Sequence, residues 1–326
     1  MKRIISLCVS LLILFFIYSR IDFSRMLDGF RQCDAPWLTI ALAMFVPLVM
    51  LTAWRFRKLA PSGSIGFFEA NKLILVAGTM NMVLPSKMGD IAKAYFITRK
   101  GLMSGMASLA LVIFEKTCDL LSLLVWCLFG LLFYRNPSPL FTMLTACVGF
   151  CILLGFLLLA SRSFITFCFK ALSLLPLTKV RLKLESFQGK CYEMQAYFWR
   201  NKRNAFEILA ASLFIWFLHL LQIWLFILAL KAWVPILTSI ALTPLAIFIG
   251  LAPLTFAGIG TRDAALIFFY QSYFPASTAA ALGILCTFRY VLPALFGLFF
   301  FHQYIALIKK PGMEKTSPMH VPEGPN

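Results

Sequence analysis

Glu115, Lys116 and Asp119 sit inside one long apolar run, Met103–Phe133. A spacing of four puts both carboxylates on one face of a helix, with Lys116 three residues from Asp119. Counted from Met103, the group falls roughly 18–24 Å along such a helix, near the middle of a bilayer. Ionisable side chains are costly there, and where they occur they bind, relay protons or tie helices together. Lys93, Arg262 and Arg289 are the bases that could serve as ties, and a tie that changes partner would do both jobs. Arg289 lies inside the last apolar run. It carries the same choice between ligand and tie, and for a phosphate-bearing ligand an Arg is a better binder than a Lys, because a guanidinium grips phosphate with two parallel donors.

Two interruptions of the apolar pattern must position these groups. The stretch Asn81–Ala94 reads NMVLPSKMGDIAKA. The apolar run before it, Leu73–Leu84, is shorter than the roughly 20 residues needed to cross about 30 Å of hydrocarbon. A run that breaks at Pro85 and Gly89 reads as a discontinuous or re-entrant helix, which is tolerated only inside protein or against a wet cavity. A second break, Pro253–Ala264, repeats the order: proline, then Gly258 and Gly260, then Arg262 beside Asp263, then a small-residue helix start. Broken helices in corresponding halves mark binding sites in transporter folds. The start of a half-helix offers free N–H groups and a positive dipole end, which suit an anion. Lys87, Lys93 and Arg262 add charge nearby. Asp90 and Asp263 fall in first turns, where capping or a local salt bridge is an equal reading.

The 326 residues are 61% hydrophobic and only 13% charged, with a mean hydropathy of +0.86. No soluble core hides that much apolar surface. The expected fold is an all-α, polytopic transmembrane helix bundle with two broken or re-entrant regions and a possible inverted repeat. The formal net charge is +17, but the bases cluster at the ends of apolar runs. That is a topology signal with attraction to anionic lipid, and it excludes a nucleic-acid partner. The nine cysteines lie mostly within apolar runs without a CxxC, and the three histidines are unrelated in position. No metal, cofactor or catalytic group is therefore expected.

In chain order, an uncleaved first helix is expected over about Ile4–Tyr18, then a short amphipathic interfacial helix within Arg20–Asp34. A second spanning helix, about Trp37–Trp54, ends in Arg55, Arg57 and Lys58, read as a cytoplasmic-side signal. Spanning helices follow at Met103–Phe133 and Leu140–Ala160. Ser161–Asn204 carries nine Lys/Arg against two Glu and is assigned to the cytoplasm. Its Leu184, Phe187, Cys191, Met194 and Phe198 form an apolar stripe, read as a helix lying on the membrane surface. Helices over Phe206–Leu230, Leu237–Leu251, Ala264–Phe274 and Ala279–Ile308 complete the bundle. Residues 1–308 are thus one transmembrane domain, with pseudo-repeats at about 1–160 and 205–308. Residues 309–326 are read as a disordered cytoplasmic tail, and the N-terminus is also placed in the cytoplasm.

The motifs taken together resemble the transmembrane regions of lysylphosphatidylglycerol synthase/flippase proteins and their stand-alone flippase-like relatives. The resemblance rests on Asn81-x-x-Leu84-Pro85 with Gly89-Asp90-x-x-Lys93-Ala94, then Glu115-Lys116-x-x-Asp119. It continues through Pro253, Gly258-Ile-Gly260-x-Arg262-Asp263-Ala264, and Arg289 with Pro293 and Gly297. Such a family is expected to carry Arg where Lys93 and Lys116 stand, and Glu where Asp263 stands. Charge is kept, but two-pronged phosphate contacts at 93 and 116 are weakened.

The resemblance implies an inner- or plasma-membrane protein that moves an amphiphile with an anionic or modified head between leaflets. In full-length relatives aminoacyl transfer belongs to a separate soluble domain, for which this chain leaves no room after its last helix. The leading reading is a lipid translocase rather than an enzyme. Asn81, Lys87, Asp90, Lys93, Glu115, Asp119, Gly258, Gly260, Arg262, Asp263 and Arg289 would form its basic midplane pocket. The expected partners are membrane lipids, either an anionic phospholipid or a polyprenyl phosphate, with a homo-oligomer or an envelope-biosynthesis partner left open. The alternatives are an accessory membrane subunit and, less favoured, an integral membrane transferase acting on lipid heads.

Overall fold

The computed structural model describes residues 23–84, 88–133, 138–173, 181–251 and 260–309, and among these only helices occur. They are α1 (Phe23–Arg31), α2 (Ala35–Ala43), α3 (Phe45–Leu59), α4 (Phe67–Val83), α5 (Gly89–Arg99), α6 (Gly105–Phe133) and α7 (Pro139–Ala160). They continue with α8 (Arg162–Ser173), α9 (Arg181–Arg200), α10 (Lys202–Ala229), α11 (Ile236–Gly250), α12 (Thr261–Tyr270) and α13 (Ala276–Lys309). Among the described residues, five segments are long and apolar enough to cross a membrane: Ala35–Leu59, Gly105–Phe133, Phe141–Ala160, Lys202–Ala229 and Ala276–Ile305. The all-α polytopic bundle is as expected. The first expected helix, Lys87, Gly258, most of the second break and the tail from 310 lie outside the described residues.

The two ends of the bundle differ in chemistry. At one end Asp34 caps α2 by accepting from the Trp37 N–H at 3.4 Å, and its own N–H donates to the Ala229 carbonyl of α10 at 2.8 Å. At the other end the basic turns meet. Tyr197 donates to the Ala60 carbonyl at 3.1 Å, and Asn204 donates to the Lys58 carbonyl at 3.4 Å.

Helices α4 and α5 form a re-entrant hairpin. Lys100, just past α5, bonds Glu69 in the first turn of α4, and Tyr304 of α13 donates to the same Glu69 carboxylate at 2.6 Å. The segment therefore enters and leaves at the basic end. At its tip the Asn81 side-chain oxygen accepts from the Gly89 N–H at 2.8 Å, capping the start of α5. Only glycine fits at position 89, because a Cβ there would lie 2.3 Å from the Ala77 carbonyl oxygen of α4.

Helix α9 corrects one expectation. Its Cys191, Met194 and Phe198 are buried, and Phe198 packs against Phe114 of α6. Gln195 and Trp199 donate to the Leu159 carbonyl at the end of α7. The stripe covers protein, not lipid, and burial pushes the Cys191 thiol up to about 11. An amphipathic stripe of this kind says that a helix face is covered without saying by what. In place of a surface helix, the region shields the first half of α6.

Two apolar clusters result. One joins the second half of α6 to α10, α11, α12 and the start of α13. The other joins the first half of α6 to α3, α4, α5 and α9. The ionisable residues lie at the seam between them.

Candidate functional site

A cavity of about 230 Å³ occupies that seam. Its polar wall is Arg55 from α3, Asn81 from α4, Asp90 and Lys93 from α5, Glu115, Lys116 and Asp119 from α6, and His219 and Gln222 from α10, with Arg289 from α13. Arg55, Lys93 and Glu115 are each 1% exposed, a degree of burial that charged groups tolerate only when paired. Lys93 ion-pairs with Glu115 and lies over the Phe56 ring at 4.4 Å. Arg55 ion-pairs with Asp119, approaches Glu115 at 3.6 Å and donates to the Ser212 hydroxyl at 3.0 Å. Lys116 closes the ring with Asp90 at 3.1 Å and Asp119 at 3.4 Å. Of the three bases expected as ties for Glu115, Lys93 is the one in place.

Arg289 differs from the other bases. It is 5% exposed, yet no carboxylate among the described residues pairs with it. Its Nη2 donates to the Tyr290 hydroxyl at 2.5 Å, and its guanidinium lies 4.6 Å from that ring. Its Nε and Nη1 are buried without a partner, as is Nδ1 of His219. Among the described residues, the cavity wall holds four bases, Arg55, Lys93, Lys116 and Arg289, against three acids, Asp90, Glu115 and Asp119. With the acids engaged by the other three bases, the formal excess of one positive charge resides on Arg289.

The described residues of the second break, 260–264, do not line this cavity. Gly260 takes φ +100, a left-handed value open to glycine, and its N–H donates to Asp263 at 3.1 Å. Asp263 thus caps α12, one of the two roles its first-turn position offers. The Arg262 guanidinium holds Asp263 at 2.7 Å, the Gly283 carbonyl at 2.8 Å and the Thr287 hydroxyl at 2.8 Å. Glycines make room for this pair, since a Cβ on Gly283 would meet Asp263 at 2.7 Å and one on Gly250 would meet Arg262 at 2.6 Å. Arg262, Asp263 and Gly260 therefore form a second buried station against α13. Among the described residues, the set expected as a single pocket falls into two groups, because the guanidinium of Arg262 is turned onto its neighbour and onto α13.

The depth of the first station also differs from the expectation. Glu115 lies about 27 Å from the Phe133 end of α6, and Arg55 about 30 Å from the Ala35 end of its span, at 1.5 Å per residue. The ion cluster therefore lies on the basic side of the bundle's middle, with Glu115 about 6 Å from the midpoint of α6. Arg289, about 20 Å from the start of α13 on the same measure, marks the deeper part of the cavity.

Arg55, Ser212, His219 and Gln222 are the residues that sequence reasoning missed. Arg55 was read with Arg57 and Lys58 as a topology signal, and burial overturns that for Arg55 alone. The available signal was the stripe Leu48, Thr52, Arg55, Phe56, Leu59, whose three- and four-residue steps put Arg55 on the inward face. Among the described residues, no three of His, Cys, Asp and Glu converge to hold a metal ion.

The family described as the lysylphosphatidylglycerol synthase TM region matches residues 3–297, and the chain belongs to it. No curated protein matches the chain.

Proposed function

We propose that this member of the lysylphosphatidylglycerol synthase transmembrane-region family is a lipid translocase, and that the cavity around Arg289 receives a phosphate-bearing head group. The observation that carries this reading is a buried guanidinium with two unpartnered nitrogens in a cavity whose other charges cancel. A phosphate oxyanion would satisfy both nitrogens with charge-assisted bonds. Pockets for whole drug-sized ligands run to about 300–1,000 Å³. At about 230 Å³ the cavity suits a head group, and the acyl chains stay in the bilayer. Lys116, whose side chain is 44% exposed, and Tyr290, 42% exposed, form its rim. In this reading Glu115 and Asp119 hold Arg55 and Lys93 so that a basic, wet site persists at membrane depth. The basic end of the bundle faces the cytoplasm.

The test is transbilayer movement in vesicles holding the purified protein, with labelled phosphatidylglycerol, a polyprenyl phosphate and phosphatidylcholine as probes. The expected result is faster movement of the phosphate-headed anionic probes than in protein-free vesicles, lost in Arg289→Met. Rates equal to protein-free vesicles for every anionic probe would overturn the proposal.

A further inference from the structure

A second, larger cavity of about 1020 Å³ opens at the basic end, between the α3–α4 turn and the α9–α10 turn. Five bases line it: Arg57, Lys58, Arg200, Lys202 and Arg203. One acid stands near them. Glu207 binds Lys58 at 2.7 Å and Arg203 at 3.2 Å. Arg57, Arg200 and Lys202 have no partner among the described residues. The frame is fixed by the Tyr197–Ala60 and Asn204–Lys58 hydrogen bonds. The space beside the α3–α4 turn is open, since a Cβ on Gly63 or Gly66 would meet nothing within 4 Å.

Bases at the ends of spanning helices ordinarily do no more than orient the chain. Two features here go beyond that. The bases line one concave space, although their side chains stay open to solvent. Lys202 and Arg203 also occupy the first turn of the 28-residue α10, where the helix dipole is already positive and cations are disfavoured. Glu207 compensates Arg203 within the helix, but nothing among the described residues compensates Lys202, and a local rule broken in that way is expected at a functional site. Trp54 and Tyr197 on the wall are side chains that favour the head-group level of a bilayer.

The geometry points to an anion-binding vestibule, separate from the Arg289 cavity, that takes a phosphate-bearing group carrying more than one formal charge or several such groups at once. The same chemistry is offered by phospholipid heads of the adjoining leaflet and by soluble phosphate esters.

The experiment uses the full chain in detergent, with Arg289→Met present throughout so that the first cavity is silent. Native mass spectrometry reads binding of short-chain phosphatidylglycerol, with phosphatidylcholine as the reference lipid. Arg57→Gln/Arg200→Gln/Lys202→Gln is expected to weaken phosphatidylglycerol binding at least about tenfold and to leave phosphatidylcholine unchanged, because charge on this scale dominates lipid selectivity. Glycerol 1-phosphate and inorganic phosphate are then added as competitors. Displacement at concentrations matching the lipid's assigns the vestibule to soluble phosphates, and its absence assigns it to lipid heads. Equal phosphatidylglycerol affinity with and without the three substitutions overturns the proposal. Because the substituted side chains are exposed, an unchanged melting temperature is expected. Should the triple variant fail to fold, raising salt on the Arg289→Met parent gives the decision instead: phosphatidylglycerol binding that does not fall with ionic strength refutes the site.

Discussion

Replacing Arg289 by methionine should stabilise the ligand-free protein while removing its response to anionic lipid. Two buried donors of Arg289 lack partners, and each such group costs about 1–3 kcal/mol. Methionine fills a similar volume and carries no donor. Against this stands the lost bond and ring contact to Tyr290, together worth about 2–3 kcal/mol. The net expectation is a gain of about 1–3 kcal/mol, within the range seen when buried charges give way to apolar side chains. At about 2 °C per kcal/mol for a chain of this size, the midpoint should rise about 2–6 °C. The assay is thermal unfolding in delipidated detergent, followed by tryptophan fluorescence, with and without phosphatidylglycerol. At a hundredfold excess over Kd, lipid should stabilise the unmodified protein by about 2.7 kcal/mol and the variant far less. The order of stability then reverses between the two conditions wherever the variant's own gain is below that figure. A variant less stable than the parent in delipidated detergent would refute the reasoning, because it would mean that Arg289 is satisfied by the protein itself.

Other outcomes follow from the same packing. Glu115→Gln strands Lys93 and half of the Arg55 environment, and should lower unfolding free energy by about 3–5 kcal/mol. Lys93→Met added to it should restore most of that loss, whereas simple additivity to within about 0.5 kcal/mol in a denaturant-monitored double-mutant cycle would rule out a direct pair. Gly89→Ala forces a Cβ to within 2.3 Å of the Ala77 carbonyl oxygen, so α5 must lift off α4; the unfolding midpoint should report a loss of at least about 1–3 kcal/mol, and lipid movement in vesicles should fall with it. Lys116→Gln, at the half-exposed rim, should change stability by less than about 1 kcal/mol, while flattening the salt dependence of anionic-lipid binding in a titration.

The re-entrant hairpin was legible because Pro85 and Gly89 break an apolar run that is too short to cross. Asn81 and Asp90 announced themselves as polar groups where lipid allows none. Glu115 and Asp119 were legible for the same reason. Arg55 was not, because it stands two residues from Arg57. At about 100° per residue, two positions apart means nearly opposite faces, so one base points inward and the other out while the sequence shows a single basic cluster. The stripe of α9 was legible as a stripe, but the identity of its cover depends on Phe114 and Leu159, which are distant in sequence. The division between the two stations was hidden in rotamers, since nothing in Arg262-Asp263 states that the guanidinium turns back onto Gly283 and Thr287.

The two breaks nevertheless have a common physical consequence, and it lies on α13. From α12, Arg262 grips the Gly283 carbonyl and the Thr287 hydroxyl. From α4, Thr79 donates to the Ala294 carbonyl at 2.7 Å, at a crossing so close that a Cβ on Gly297 would lie 2.3 Å from the Leu75 carbonyl oxygen. These two attachments bracket Arg289. Between them Pro293 removes the N–H that would have bonded the Arg289 carbonyl, so the helix is weakest at the residue it must hold in place. A lone buried guanidinium would otherwise reach for water or for Asp119. Fixing the helix on both sides, while all three acids of the cavity are engaged by other bases, is what leaves Arg289 unsatisfied at that depth. If the cavity binds a phosphate head as proposed, the described parts of the broken helices serve it as supports that keep one positive charge in place and unpaired.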